Sequence, residues 1–176
     1  MDFLNLLKAA GGENSLGQIG DMLGLENSQT QDVVGALAPA LMRGLEQQTE
    51  SGGGLDALQN ALNSGNHQRY IDEPELMQAT ETRDDGNGIL GHLFGSRDVS
   101  RNVAAQAAAE TGVDASLIRK ALPLVAGLAM GALSKQSSSE QSGAAGLGGI
   151  IGGLLDAGGS DRGGVDGLLN LARKFF

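Results

Sequence analysis

The chain has 176 residues with 29 glycines and no cysteine, and its 21 acids against 12 Lys and Arg give a net charge of −9. That length allows one domain of ordinary size or two helical halves sharing a core, and the acidity opposes phosphate backbones, so nucleic acid is not an expected partner. The lack of cysteine excludes disulfides, thiolate zinc sites and cysteine nucleophiles.

Met1-Asp2-Phe3-Leu4-Asn5 has neither the positive flank nor the apolar run of a secretory signal, so the cytoplasm is the expected location. Leu and Ala dominate while β-branched residues rarely alternate with polar ones, which predicts an all-α multi-helix bundle. Helices are expected over residues 3–10 and 16–23, followed by a longer one capped at Ser28. In that helix Val33, Leu37, Leu41 and Leu45 recur every fourth position, flanked by Val34, Ala38 and Met42, with Asp32, Arg43 and Glu46 on the other face. A further helix is predicted over 55–62. Residues 72–85 then carry six acids against the single base Arg83, a composition that reads as an acidic connection over 72–88 between a first half, 1–71, and a second half, 89–176. Within the connection, Asp72 is the expected cap of a short helix over 74–82 that opens at Pro74.

A helix over 99–111 leads into the most apolar stretch, residues 121–133, which contain no charge. Leu124 and Leu128 extend its apolar stripe around the cylinder, so this helix, capped by Asp114 or Ser116, is expected at the centre of the fold. Thirteen uncharged residues fall short of the roughly 20 that a bilayer requires. Glycine, about 16% of the chain against a typical ~7%, clusters at 52–54, 143–153 and 158–164 without a strict period. Helix punctuation and close helix approach account for it. The last predicted helices cover 147–155 and 165–175.

Residues 24–45 align without a gap with residues 112–133. Gly24-Leu25-Glu26 returns as Gly112-Val113-Asp114, Ser28 as Ser116, Ala38 as Ala126, Met42 as Met130 and Leu45 as Leu133, while Gly35 and Pro39 face Pro123 and Gly127 in exchanged order. One helical element used twice predicts two related helical halves, each with a central helix kinked at its proline, sharing one core. If the stripes pack into that core, Met42→Asp and Met130→Asp should each unfold the protein.

The segment Gly91-His92-Leu93-Phe94-Gly95-Ser96, followed by the run from Ala121-Leu122-Pro123 to Gly131-Ala132-Leu133, resembles the bacterial family catalogued as domain of unknown function 937. The resemblance is strongest in the second half and implies a helical bacterial protein. It brings no catalytic motif. The first half lacks the Leu-Phe-Gly lead-in and places its proline differently, so its equivalence to the second rests on the repeat alignment alone.

Nothing in the residues assembles a reaction centre. His67 and His92 have no acid at metal-ligand spacing. Asp84-Asp85-Gly86-Asn87-Gly88 looks like the start of a calcium loop, but twelve residues on, Gly95 or Ser96 stands where a bidentate Glu is needed. Residues 146–152 have the glycine density of a phosphate cradle without the preceding strand or the Lys-Ser pair, and Ser137 to Ser139 have no base beside them. The expectation is a protein that is not an enzyme and has no cofactor or metal: a structural or protein-interaction module that self-associates through helical faces or binds another protein. The alternative is a membrane- or lipid-associating protein using the Gly-rich segment and the C-terminal stripe. Val165, Leu168, Leu169, Phe175 and Phe176 are the candidate interaction surface, with Arg173 and Lys174 beside the terminal phenylalanines.

Overall fold

The computed structural model describes residues 3–50 and 54–139, with Gly152 beyond them. These fold into α1 (Phe3–Ala9), α2 (Glu13–Leu23), α3 (Asn27–Glu50), α4 (Gly54–Ser64), α5 (Arg69–Asp72), a 3-10 helix (Pro74–Gln78), α6 (Thr80–Phe94), α7 (Arg97–Thr111) and α8 (Ala115–Ser139). The fold is all-α, and no strand occurs among the described residues.

The aligned stretches start alike. Gly24 ends α2 at φ 68° and Gly112 ends α7 at φ 72°, left-handed conformations that glycine adopts without a Cβ clash. After each, a short turn enters a long helix with an internal proline, Pro39 in α3 and Pro123 in α8. The caps differ. The Asp114 carboxylate accepts from the Ser116 amide at 2.7 Å, and its bonds to Ser116 hold it below the usual aspartate range. At the start of α3 the Glu26 amide donates to the Gln29 side chain at 3.1 Å, and Ser28 lies inside the first turn rather than capping it. Asp72 is also not a cap: it closes α5 and accepts from Lys135 Nζ at 2.6 Å, while the 3-10 helix begins after Glu73 with no side-chain cap.

Helix α8 is the hub, with all seven other α-helices packed against it. Residues 121–134 are buried without interruption, and Leu124, Val125, Leu128 and Ala132 are fully enclosed. A helix apolar on every side requires neighbours on every side. By length and composition Ala115–Gln136 is apolar enough to cross a membrane even with Arg119, Lys120 and Lys135 in it, but 78% of its apolar window is buried within the fold.

The acidic stretch is helical where a solvated connection was expected. Residues 72–88 contain the end of α5, the 3-10 helix and the first nine residues of α6, and Met77, Thr82 and Gly86 are buried. The carboxylates of Asp72, Glu73, Glu75, Glu81 and Asp84 point to solvent, so one face meets the expectation while the other joins the core. Gly86 allows this. A Cβ there would lie 2.5 Å from the carbonyl carbon of Pro123 and 2.8 Å from its Cα, so α6 crosses α8 backbone to backbone. The same residue excludes the calcium-loop reading, since Asp84 to Gly88 are interior to a helix.

Candidate functional site

Two places in the fold gather side chains from distant parts of the chain. The first is an apolar seam between α1, α3, α6 and α8. It is lined by Phe3, Leu6, Leu93 and Ala126 together with Leu41, Met42 and Leu45 of α3 and Ala129, Met130 and Leu133 of α8, around a cavity of about 20 Å³. That volume is close to one water molecule, and the lining offers water no partners, so the seam holds helices together and has no room for a metabolite. Its composition is informative. Leu41, Met42 and Leu45 are the residues that align with Ala129, Met130 and Leu133, so equivalent positions of the two stretches converge on one line of contact. Met130 is 5% exposed, whereas Met42 is half-buried at the rim, so the two methionines are not equally enclosed.

The second place is polar. His67 lies in the turn after α4, Arg69 and Tyr70 begin α5, and Asp85 projects from α6. The Tyr70 hydroxyl donates to Asp85 Oδ2, and Arg69 Nη2 donates to the same oxygen at 3.2 Å and to the Tyr70 hydroxyl at 3.1 Å. The Arg69 guanidinium also stands 5.1 Å from the centre of the Tyr70 ring, and the His67 ring packs 5.9 Å from it on a tilt of 38°. Burial pushes the Tyr70 hydroxyl above its ordinary value, reinforced by its bond to Asp85, so it stays protonated and acts as a donor. The bond to Tyr70 is the main reason that Arg69 is raised. Burial lowers the His67 imidazole, and the nearby Arg69 charge adds to that while Asp85 opposes it. His67 Nδ1 and Arg69 Nε are buried without a hydrogen-bond partner.

Neighbouring bonds tie this segment down. Ser15 Oγ donates to the Tyr70 carbonyl at 2.6 Å, Gln68 Nε2 to the Ser134 carbonyl at 3.2 Å, and Ser134 Oγ to the Leu62 carbonyl at 3.3 Å. The four side chains have the chemistry of a structural lattice: a protonated phenol, a permanent cation and a carboxylate bond to one another, and the His67 ring is bonded to none of them. Spacing in the sequence did not point to this group, because Tyr70 and Asp85 lie on different helices. The one available signal was that Tyr70 is the only tyrosine.

Where α1, α2 and α3 meet, an open cleft of about 240 Å³ is lined by Lys8, Glu13, Asn27, Thr30 and Gln31 with little apolar surface. Of the residues weighed from sequence, His92 is exposed on α6, and its carbonyl accepts from Gln48 Nε2 at 2.6 Å. No group of three or more His, Asp or Glu able to hold a metal occurs among the described residues. Val165, Leu168, Leu169, Phe175 and Phe176 lie outside the described residues, as do the helices expected over 147–155 and 165–175 apart from Gly152.

No curated protein and no solved structure matches the chain. A family model described as a bacterial protein of unknown function (DUF937) matches residues 5–136, a stretch that runs from α1 through Gln136 near the end of α8 and includes the polar group and all of the seam but Phe3. The chain therefore belongs to that family, DUF937.

Proposed function

We propose that the protein is a non-catalytic, self-associating helical module built from two related halves, whose central helices α3 and α8 bend at Pro39 and Pro123. The carrying observation is the seam, where Leu41, Met42 and Leu45 meet their aligned counterparts Ala129, Met130 and Leu133. Contact between equivalent residues is the arrangement of an isologous interface, in which the same patch serves both partners. Here both partners belong to one chain. Helix α3 also packs on α7 and α8 on α2, so each half embraces the other. Surfaces that pair within a chain in this way can form the same contacts between chains when the halves exchange, provided that the packed segment between them opens and re-forms.

A cysteine-free chain makes the exchange simple to detect. A Cβ at Gly44 of α3 would lie 3.0 Å from Cβ of Leu93 on α6, close enough for a disulfide after a small adjustment. In the double variant Gly44→Cys, Leu93→Cys, oxidation of an exchanged assembly links one chain to another, giving a covalent dimer on a non-reducing gel. Oxidation that yields only internally linked monomers rejects exchange.

The membrane-associating alternative uses the Gly-rich segment and the C-terminal stripe with Arg173 and Lys174 beside the terminal phenylalanines; the apolar helix Ala115–Gln136 lends it little, since most of its window is buried in the fold. Flotation with liposomes of the intact chain, compared with one ending at Asp156, tests it; loss of binding on truncation is the result that would favour it.

A further inference from the structure

We infer that His67, Arg69, Tyr70 and Asp85 form an acid-operated clasp, which holds residues 65–72 over a glycine notch in α8 and releases them when His67 takes up a proton.

The notch is made by Gly127 and Gly131, one turn apart. The Tyr70 ring covers Gly127, with Cδ2 3.6 Å from where a Cβ would stand, and the His67 carbonyl and Ile71 side chain press on Gly131 at 2.6 and 3.2 Å from its Cβ position. The segment above is short: a turn containing Asn66 at φ 47°, followed by the single-turn helix α5. A helix of four residues has no stability of its own, so its position depends on what anchors it. Besides its bonds to Ser15 of α2 and, through Gln68 and Asp72, to α8, the segment's side-chain anchor on α6 is Asp85, whose Oδ2 takes both the Tyr70 hydroxyl and Arg69 Nη2.

Protonation of His67 acts against that anchor. The residue is 7% exposed, and its Nδ1 has no hydrogen-bond partner. In the neutral ring a bare Nδ1 is tolerable, whereas in the imidazolium both nitrogens carry protons and Nδ1 becomes a buried charged donor without an acceptor. Of the charges around it, Arg69 on its own segment repels it and Asp85 on α6 attracts it, but Asp85 is not bonded to His67 and its Oδ2 is already shared by Tyr70 and Arg69. Helix α8 beneath offers no charge from Ala121 to Ser134, Lys135 is held by Asp72, and Asp56 of α4 is exposed. Burial outweighs the attraction of Asp85 and places the imidazole below its ordinary 6.5. A group lowered in this way leaves stability intact above 6.5, then removes it as pH falls towards the folded-state value, because the open segment binds the proton that the closed one resists.

Hydrogen–deuterium exchange, corrected for the intrinsic pH dependence, reads the clasp directly through the Tyr70, Ile71, Asp72 and Glu73 amides, which bond within the segment. Between about pH 7.5 and about pH 5 their protection should fall, while that of α3, α7 and α8 holds. His67→Gln, which cannot titrate, should remove the pH dependence. Asp85→Asn should open the segment already at neutral pH. An unchanged pH dependence in His67→Gln overturns the inference, and so does loss of protection spread evenly over all helices. Should either variant fail to fold, the wild-type chain still decides. His67 and His92 are the only histidines, so an NMR titration resolves the His67 ring; the loss of protection must run down to the pH at which that ring titrates, and a ring that titrates while protection stays constant rejects the clasp.

Discussion

Replacing Gly86 with alanine tests the crossing on which the fold turns. In an isolated helix the change would stabilise by about 1 kcal/mol, since alanine restricts the unfolded chain and favours helix. The new methyl group, however, would stand 2.5 Å from the Pro123 carbonyl carbon, against the 3.4–4 Å of an ordinary contact, so α6 and α8 must part locally. The obstacle is backbone at the middle of a helix buried on all sides, which cannot rotate away as a side-chain tip can. Overpacking of that kind costs typically 1–3 kcal/mol and occasionally more. With the upper end of that range applying, the net loss is about 2 kcal/mol, or a fall in Tm of roughly 4–8 °C for a chain of this size. Gly88 and Gly91 lie on the same helix with open space where a Cβ would go, so alanine at either should raise Tm by a few degrees, about 2–4 °C. Thermal melts of the three variants followed by far-UV circular dichroism make the comparison. A Gly86→Ala variant as stable as Gly88→Ala would refute the close crossing.

Other substitutions probe the remaining parts. Met130→Asp places an unpaired carboxylate in the core and should cost roughly 3–5 kcal/mol, enough to unfold a marginal protein, whereas at the half-buried Met42 the carboxylate can turn to water and the loss should be about 1 kcal/mol, both measured by urea titration. Equal losses would contradict the asymmetry of the seam. Leu128→Ala removes a side chain with no exposure and should lower stability by about 3 kcal/mol in the same assay. Tyr70→Phe deletes the hydroxyl that bonds Asp85 and Arg69; because Asp85 is 41% exposed, the loss should fall below the range of about 1.5–3 kcal/mol for a charged partner, at about 1 kcal/mol. A stability unchanged from wild type would mean that solvent replaces those bonds without cost.

The central helix was legible because its signal is one-sided: from 121 to 133 every residue is compatible with burial, and no arrangement of a soluble chain leaves such a cylinder exposed. The two long helices were legible for a related reason, since a stripe recurring every fourth residue outlasts a single proline. Helix α6 was not. Its acids and its glycines at 86, 88 and 91 lower local helix preference, and only the packing of Gly86 against Pro123, a contact between residues 37 apart, makes helix the better state there. The expectation that Met42→Asp would unfold the protein as Met130→Asp does fails to distinguish the two, because the stripe fixes a face and not the depth at which that face ends, and Met42 is only half-buried. The polar group escaped for a similar reason, since Tyr70 and Asp85 are brought together by the docking of α5 beside α6 and no local pattern encodes their distance.

The most direct test of a self-associating module is its mass in solution, measured by light scattering over a concentration series. The account predicts a mass that is a multiple of 17.9 kDa or rises with concentration. A constant 17.9 kDa at every concentration would contradict it.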